Sequence, residues 1–377
     1  MMGAGALGLG ERMVESKAPY LLTSLLATPI RQLSCGRFHC LALTATGLVY
    51  SWGGSEFGQS GTNKRDTVYY PTMIETLKSH KTIAIAAGGE HSACITEGGQ
   101  LYSWGKNDHG SLGLGSTESQ LVPVLNTPLH SKGIRIAQVA CGQDFTLAIS
   151  SAGLLYSCGL NHEGQLAMGD FAKRSLLVPV TYFEKKGFRV FQVKAGQSHG
   201  VALALDLASR EVLVYTFGAG VSNGYREKQS HPILVAALTQ THSIHTSASA
   251  QHTLTLNNSQ RPFAFGTNLF GELGNLEAGV QALVKIRLTP TIRVVQAATG
   301  TGFSMLLCKG EVPAQILAGQ QPTPTPVTTT ASNDIPPPPK ESARPEIQQA
   351  LGMQGRLSQQ FRLTDIWKSV STTALTL

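Results

Sequence analysis

Four histidines stand at matching places in recurring turns: His39, His91, His199 and His252. Phe145 and Phe303 take the same place in two further copies, and the interval is about 53 residues. Arg37, Glu90 and Asp144 lie one or two residues before these positions. An imidazole titrates near neutrality and ligates metals, and a carboxylate beside it is a partner for either role. Such chemistry needs several groups at one point. A residue repeated once per structural unit is carried by a different unit each time, so its copies stand apart around an assembly. Phe145 and Phe303 show that an apolar ring fills the same place. The expectation is therefore structural: each imidazole bonds a neighbouring turn backbone and fixes its hairpin. No catalytic residue, metal ligand or cofactor is assigned. The chain has no Gly-rich phosphate loop with a lysine, no G-x-S-x-G and no paired histidines on a helix, so no enzyme is expected.

The turns belong to a repeated unit. From Gly88 to Gly115 the chain runs through a Gly turn, an apolar run, a second Gly turn, an aromatic run ending in Trp-Gly, and a polar Gly-rich loop. The same order starts at Gly36 and Gly142, more weakly at Gly196 and Gln251, and as a half-copy from Gly300 to Gly310. A fixed period of this size marks a solenoid, propeller or array. The runs LALT, ACIT, LAIS and LTL are short, apolar and bounded by turns, which predicts strands. LVYSWG, LYSWG, LLYSCG, LVYTFG and PFAFG predict a further strand, joined to the first by a hairpin through Gly47, Gly99 or Gly153. One more strand is expected upstream (IRQLSCG, IAIAAGG, IAQVACG) and one downstream (VYYPTMI, LVPVL, LVPVTY, HPILV). The downstream strand carries Pro71, Pro123, Pro179 and Pro232, and proline belongs on an edge because it cannot donate to the ladder. Four strands per unit with a proline-bearing edge describe an all-β fold, a β-propeller of four-stranded blades. Trp52 and Trp104, each just before a glycine, are expected to pack between blades.

These residues resemble the regulator-of-chromosome-condensation family of β-propellers. The carrying motifs are (A/S)CG-x-x-(H/F), G-x-(V/L)-Y-S-W-G, and N-x-x-G-x-L-G, seen as NDHGSLG, NHEGQLA and NLFGELG. The likeness covers roughly residues 3 to 317. Kelch propellers share the period but carry a Gly-Gly pair with spaced Tyr and Trp, which is scattered here. The resemblance implies a scaffold that binds a protein partner by one propeller face. It also implies an alternative, a guanine-nucleotide exchange factor or regulator of a small GTPase, associated with chromatin. In the founding branch, acidic and histidine residues of these turns face the GTPase. Carried over, that gives Arg37, His39, Glu90, His91, Asp144, His199 and His252 as partner-binding residues. The loops GGSEFGQSG and GKNDHGSLGLG hold no wedge-like insertion of the kind that branch uses. The plant ultraviolet-B photoreceptor branch uses Gly-Trp-Arg-His-Thr repeats. Here the turns read GRFHC, GGEHS, GQDFT and GQSHG, so light sensing is not expected.

Composition agrees with a buried β core: 42% hydrophobic, 14% charged, and 40 glycines for tight turns. The net charge of +7 permits an acidic partner without requiring one. No dense Lys/Arg run marks a nucleic-acid surface. The six cysteines do not read as a disulfide framework: Cys35 and Cys141 stand where other copies hold Ala or Gly and Cys158 where Trp52 and Trp104 stand, which reads as buried filler. None has Cys-x-x-Cys spacing, although Cys35 and Cys40 come near it. A reducing compartment follows, cytoplasm or nucleus, with no membrane span and a monomeric chain.

The propeller is expected over residues 1–318. A Pro/Thr-rich disordered linker is expected over 319–345, and a tail with a short amphipathic helix over 346–377. The chain starts inside a blade, since GALGLG matches SLGLG at Ser111. Residues 18–29 are expected to give an outer strand and a connector. Five fuller repeats plus a shared one give six blades, seven being the alternative. The ring would close by pairing residues 6–9 and 20–22 near Phe303–Leu307, leaving no open edge. The fourth and fifth repeats deviate, through drift or a specialised surface.

Overall fold

The computed structural model describes residues 5–310 apart from 14, 17, 226, 240, 242, 276 and 289–291. The expected linker and tail, with their helix, lie outside the described residues.

Each repeat folds as one antiparallel sheet whose strands follow chain order. The first holds β1 (Ile30–Cys35), β2 (His39–Thr44), β3 (Val49–Gly53) and β4 (Val68–Met73). The second holds β5 (Thr82–Ala87), β6 (His91–Thr96), β7 (Leu101–Gly105) and β8 (Gln120–Leu125). The third holds β9 (Ile136–Cys141), β10 (Phe145–Ser150), β11 (Leu155–Gly159) and β12 (Arg174–Pro179). The fourth holds β13 (Phe188–Ala195), β14 (His199–Asp206), β15 (Val212–Gly218) and β16 (Gln229–Leu234). The fifth holds β17 (Ser243–Ala248), β18 (His252–Asn257), β19 (Pro262–Thr267) and β20 (Val280–Lys285). A two-stranded sheet of β21 (Arg293–Gly300) and β22 (Phe303–Lys309) follows. The four prolines all fall on the outer, fourth strands, which sit at sheet edges as expected. The second strands are buried along their whole length in β6 and β10, because neighbouring sheets cover both faces. That is why they read as continuous apolar runs rather than alternating ones.

Packing runs from each sheet to the next. Trp104 at the end of β7 lies with Leu41, Leu43, Ile74 and Leu77 of the first sheet, the inter-blade role expected for it. The third and fourth sheets share Leu147, Ile149, Val193, Ala202 and Phe217. The downstream strands lead into short turns of helix. Two are α-helical, α1 (Thr127–His130) and α2 (Thr181–Lys185), and the others are 3-10 turns. Asn126 caps α1 by accepting from the Leu129 N–H.

The N-terminal expectation needs correction. Among the described residues before Ile30 there is a 3-10 turn at Thr23–Leu25 and no strand. Residues 5–10 lie against the first sheet, with Gly8 beside Trp52 and Gly10 beside Tyr70. No described strand pairs with the outer edge of β22. The segment is a loop because its glycines sit at left-handed φ, which favours turns over ladders. Phe303, Met305 and Leu307 are 53%, 63% and 53% exposed, whereas Leu41 and Leu43, at the matching places of β2, are 0% exposed.

Candidate functional site

The turn between first and second strands and the loop between third and fourth lie at the same end of each sheet. Backbone bonds tie the two together. The carbonyls of Phe38, Glu90, Asp144, Ser198 and Gln251 accept from the N–H groups of Gly54, Lys106, Leu160, Ala219 and Thr267 at 2.8–2.9 Å. Gly105 makes this approach possible. Its φ is +97°, and a Cβ there would sit 2.7 Å from the Glu90 carbonyl oxygen.

The N-x-x-G-x-L-G loop is held by its asparagine. Asn107 Oδ1 accepts from the Leu112 N–H, and Nδ2 donates to the Ser116 and Glu118 carbonyls. Asn161 and Asn268 repeat the pattern on Leu166 and Leu273. In the first sheet Ser55 stands in for the asparagine, bonding the Ser60 hydroxyl and the Lys64 carbonyl.

The four histidines are not at the surface. His39, His91, His199 and His252 are 0–1% exposed. As partner contacts they are therefore set aside, because burial removes them from any docking molecule. The expected bond to a neighbouring turn backbone is not the main contact either. Each Nε2 meets a hydroxyl of the next sheet: Ser92 at 2.7 Å, Thr146 at 2.8 Å, Thr253 at 2.9 Å and Ser304 at 2.9 Å. The hydroxyl protons of Ser92, Thr146 and Ser304 are given to the carbonyls of Gln59, Ser111 and Glu272. With its one proton committed, each of these three hydroxyls accepts from Nε2–H, which puts a proton on Nε2. Trp104 Nε1 donates to the same Gln59 carbonyl at 3.0 Å. Where the histidine is Phe145, the next sheet has Gly200, and the ring of Phe217 fills the space a Cβ would need. Burial depresses the imidazole pKa values. His39 falls to about 3, by burial and then by the charge of His91. His91 falls to about 4 by burial, and His199 to about 3 by burial and then by His252.

A second set of clips passed unnoticed in the sequence. Gln32, Gln138 and Gln192 on first strands accept the backbone N–H groups of Ile85, Val193 and Thr246 on the next first strands. The signal was there in IRQLSCG, IAQVACG and VFQVKAG, where the glutamine recurs in an otherwise apolar run.

What remains at this end is a charged cluster. Arg37 is exposed, and Glu90 and Asp144 are half-exposed. Lys106 Nζ lies 2.7 Å from Glu90 Oε2 and 3.9 Å from Asp108 Oδ2. It also sits 4.6 Å above the Phe57 ring. The Lys106 pKa is raised, chiefly by the bond to Glu90, with Asp144 and Asp108 adding. Two carboxylates, Glu90 and Asp108, thus flank one ammonium beside an aromatic ring, and the charge of Asp144 also acts on it. Of the residues carried over, the structure brings Glu90 to Lys106, places Asp144 on the following turn where its charge acts on Lys106, and places Arg37 on the preceding turn. Among the described residues no group of three or more His, Cys, Asp and Glu is placed to hold a metal. No described helix is long and apolar enough to cross a membrane.

Residues 2–306 match the profile of the RCC1-like domain. The ultraviolet-B receptor UVR8 of Arabidopsis thaliana is 31% identical over 304 residues, 78% of this chain and 66% of the receptor. The human E3 ubiquitin-protein ligase HERC2 is 31% identical over 329 residues, 83% of this chain and 7% of the ligase. The chain thus spans less than two thirds of either relative's length. Yeast RCC1 (Prp20), solved bound to Kap60, superposes with a TM-score of 0.65 at 22% identity, over 81% of this chain and 75% of that one. With the repeated sheets, the loop asparagines and this match, the chain belongs to the RCC1-like domain family.

Proposed function

We propose that this chain is a non-enzymatic scaffold that binds a protein partner on the end formed by the first turns and the third-to-fourth-strand loops. The observation that carries the reading is the cluster of Glu90 and Asp108 at Lys106 beside Phe57, with the charge of Asp144 acting on the same ammonium. The chain as a whole is basic at +7, so an acidic cluster is a local departure, and it fits a basic patch on the partner. Histidines and hydroxyls on the same turns are occupied between sheets, which leaves the carboxylates and Arg37 for recognition. A family fold solved with a bound protein, yeast RCC1 with Kap60, is consistent with this use of the scaffold.

The test compares capture of partners from extract by the wild-type chain and by two charge reversals. Glu90→Lys with Asp144→Lys alters the proposed end, and Glu97→Lys alters the opposite end. A specific partner lost only with the first supports the reading; a partner lost only with the second refutes it. The same proteins are then mixed with small GTPases loaded with fluorescent nucleotide. Accelerated release that disappears in Asp144→Ala replaces the scaffold reading with exchange activity.

The reading includes a closed ring of six blades. Residues 5–10 sit toward Trp52 as Gly58–Gly61 sit toward Leu121 and Trp104, in the manner of a preceding blade's loop. Each buried histidine is followed by a hydroxyl in the next sheet, and Phe145 by Gly200. In a six-blade order Phe303 is followed by Cys40, again without a hydroxyl. Deleting residues 1–30 should lower the melting temperature and promote aggregation; a melt equal to the full chain would overturn the closure.

A further inference from the structure

Cys35 was expected to be buried filler, but it is exposed, and Cys40 is half-buried. Cys35 ends β1, Cys40 is the second residue of β2, and they face each other directly across the pair. The Gly36 N–H bonds the His39 carbonyl at 2.8 Å, so the next pair outward is the close, non-hydrogen-bonded one. Opposed residues of that kind stand about 4.5 Å apart at Cα, inside the span of roughly 4.4–6.8 Å that disulfides bridge. The two sulfurs are already 3.7 Å apart. Matching pairs in the other sheets are Ala87–Ser92, Cys141–Thr146, Ala195–Gly200, Ala248–Thr253 and Thr299–Ser304, so only the first sheet opposes two thiols. Of the counterparts that have a sheet packed before them, Ala87 and Ala195 are half-exposed and Cys141 is buried, so a stacked neighbour narrows access to this place without always closing it.

We propose that Cys35 and Cys40 form a reversible redox pair, with Cys35 attacked first by peroxides and Cys40 resolving it. The Cys35 thiolate attacks one peroxide oxygen and the O–O bond breaks, giving a sulfenic acid and an alcohol or water. The Cys40 sulfur then bonds to Cys35 and expels hydroxide, which leaves as water with the Cys40 proton. Two thiols lose two electrons and the peroxide gains them. The division of labour follows from the site. The bond from Cys40 draws the Cys35 pKa down to about 7, and the same bond, with burial, pushes Cys40 up. A low-pKa exposed thiol with a resolving partner is the pattern of reversible oxidation. The one Cys40 proton is shared between Cys35 and the Ala6 carbonyl, 3.6 Å from Cys40 Sγ, which is also the acceptor that Trp52 Nε1 uses at 3.0 Å. Oxidation removes that S–H, which couples the pair to the seating of residues 5–10.

The test treats the full chain with a few equivalents of hydrogen peroxide, alkylates it, and digests it with trypsin. Cleavage after Arg31, Arg37 and Lys64 places the two cysteines on separate peptides. A reducible link between peptides 32–37 and 38–64 supports the proposal, as does a fall in total thiols from six to four in denaturant. Cys40→Ser, which installs the residue found at Ser92, should keep the fold and leave a Cys35 sulfenic acid that dimedone traps. Cys35 driven to sulfinic acid without a link, or oxidation at Cys308 while this pair stays reduced, would overturn it. Linked protein should also be cut several-fold faster at Arg12; an unchanged rate would overturn the coupling to residues 5–10.

Discussion

Acid should loosen the stack of sheets through its buried histidines. His39, His91 and His199 are fully buried and neutral, with pKa values of about 3, 4 and 3. In the unfolded chain the same groups titrate near 6.5. Below that value the unfolded chain binds protons that the folded chain refuses, so stability is whole above about pH 6.5 and is lost toward pH 4. At pH 5 the unfolded group lies about 1.5 units above ambient pH, which costs about 2 kcal/mol per imidazole. Three give about 6 kcal/mol, comparable with the whole stability of an ordinary domain. Asp170 and Glu272 have lowered pKa values and stay ionised in this window, so they do not blur it. Urea unfolding at pH 7.5, 6.5, 5.5 and 5.0 measures the effect. The double change His39→Phe with Ser92→Gly copies the Phe145–Gly200 pair and should remove about a third of the pH dependence. A flat profile between pH 6.5 and 5, or an unchanged slope in the double variant, would refute the reasoning.

Other substitutions test the packing. Trp104→Ala should cost about 3–5 kcal/mol, since the ring is 0% exposed and its N–H holds the Gln59 carbonyl. Chemical unfolding checks this. Gly105→Ala should destabilise by more than ~1 kcal/mol, because a left-handed φ and a close carbonyl both oppose a methyl group; the melting temperature reads it. Asn107→Ala leaves the Leu112 N–H unpaired in the interior and should cost about 2–4 kcal/mol, with faster amide exchange across residues 107–118.

Much of the fold was legible because each repeat states its own strands. VYSWG and LYSWG formed the third strands, and Pro71, Pro123, Pro179 and Pro232 marked the edges. The N-terminal stretch misled because Tyr20-Leu-Leu looks like a strand, yet among the described residues it pairs with none. At the candidate site, Glu90 and Asp144 were readable as turn carboxylates, but Lys106 was not. It comes from the loop after β7, and only the folded sheet brings it to Glu90. The histidines were read as structural with a turn backbone as partner; His91 does bond the backbone of Gln143, but the hydroxyl of the next sheet at each Nε2 was not foreseen. His39 and Ser92 are 53 residues apart, and a contact between repeats cannot be seen inside one repeat. The pattern was nevertheless present, since a hydroxyl follows each of the four histidines, and a glycine follows Phe145, one repeat later. Cys35 was misread because its counterpart Cys141 is buried, whereas β1 has no sheet packed before it among the described residues.

Hydrogen exchange of the full chain with and without its captured partner tests the binding face most directly. The account predicts slowed exchange at residues 37–38, 56–57, 90, 106–109 and 144, which share one end of the sheets. Protection confined to the hairpin turns at residues 45–48, 97–100 and 151–154, at the opposite end, would contradict it.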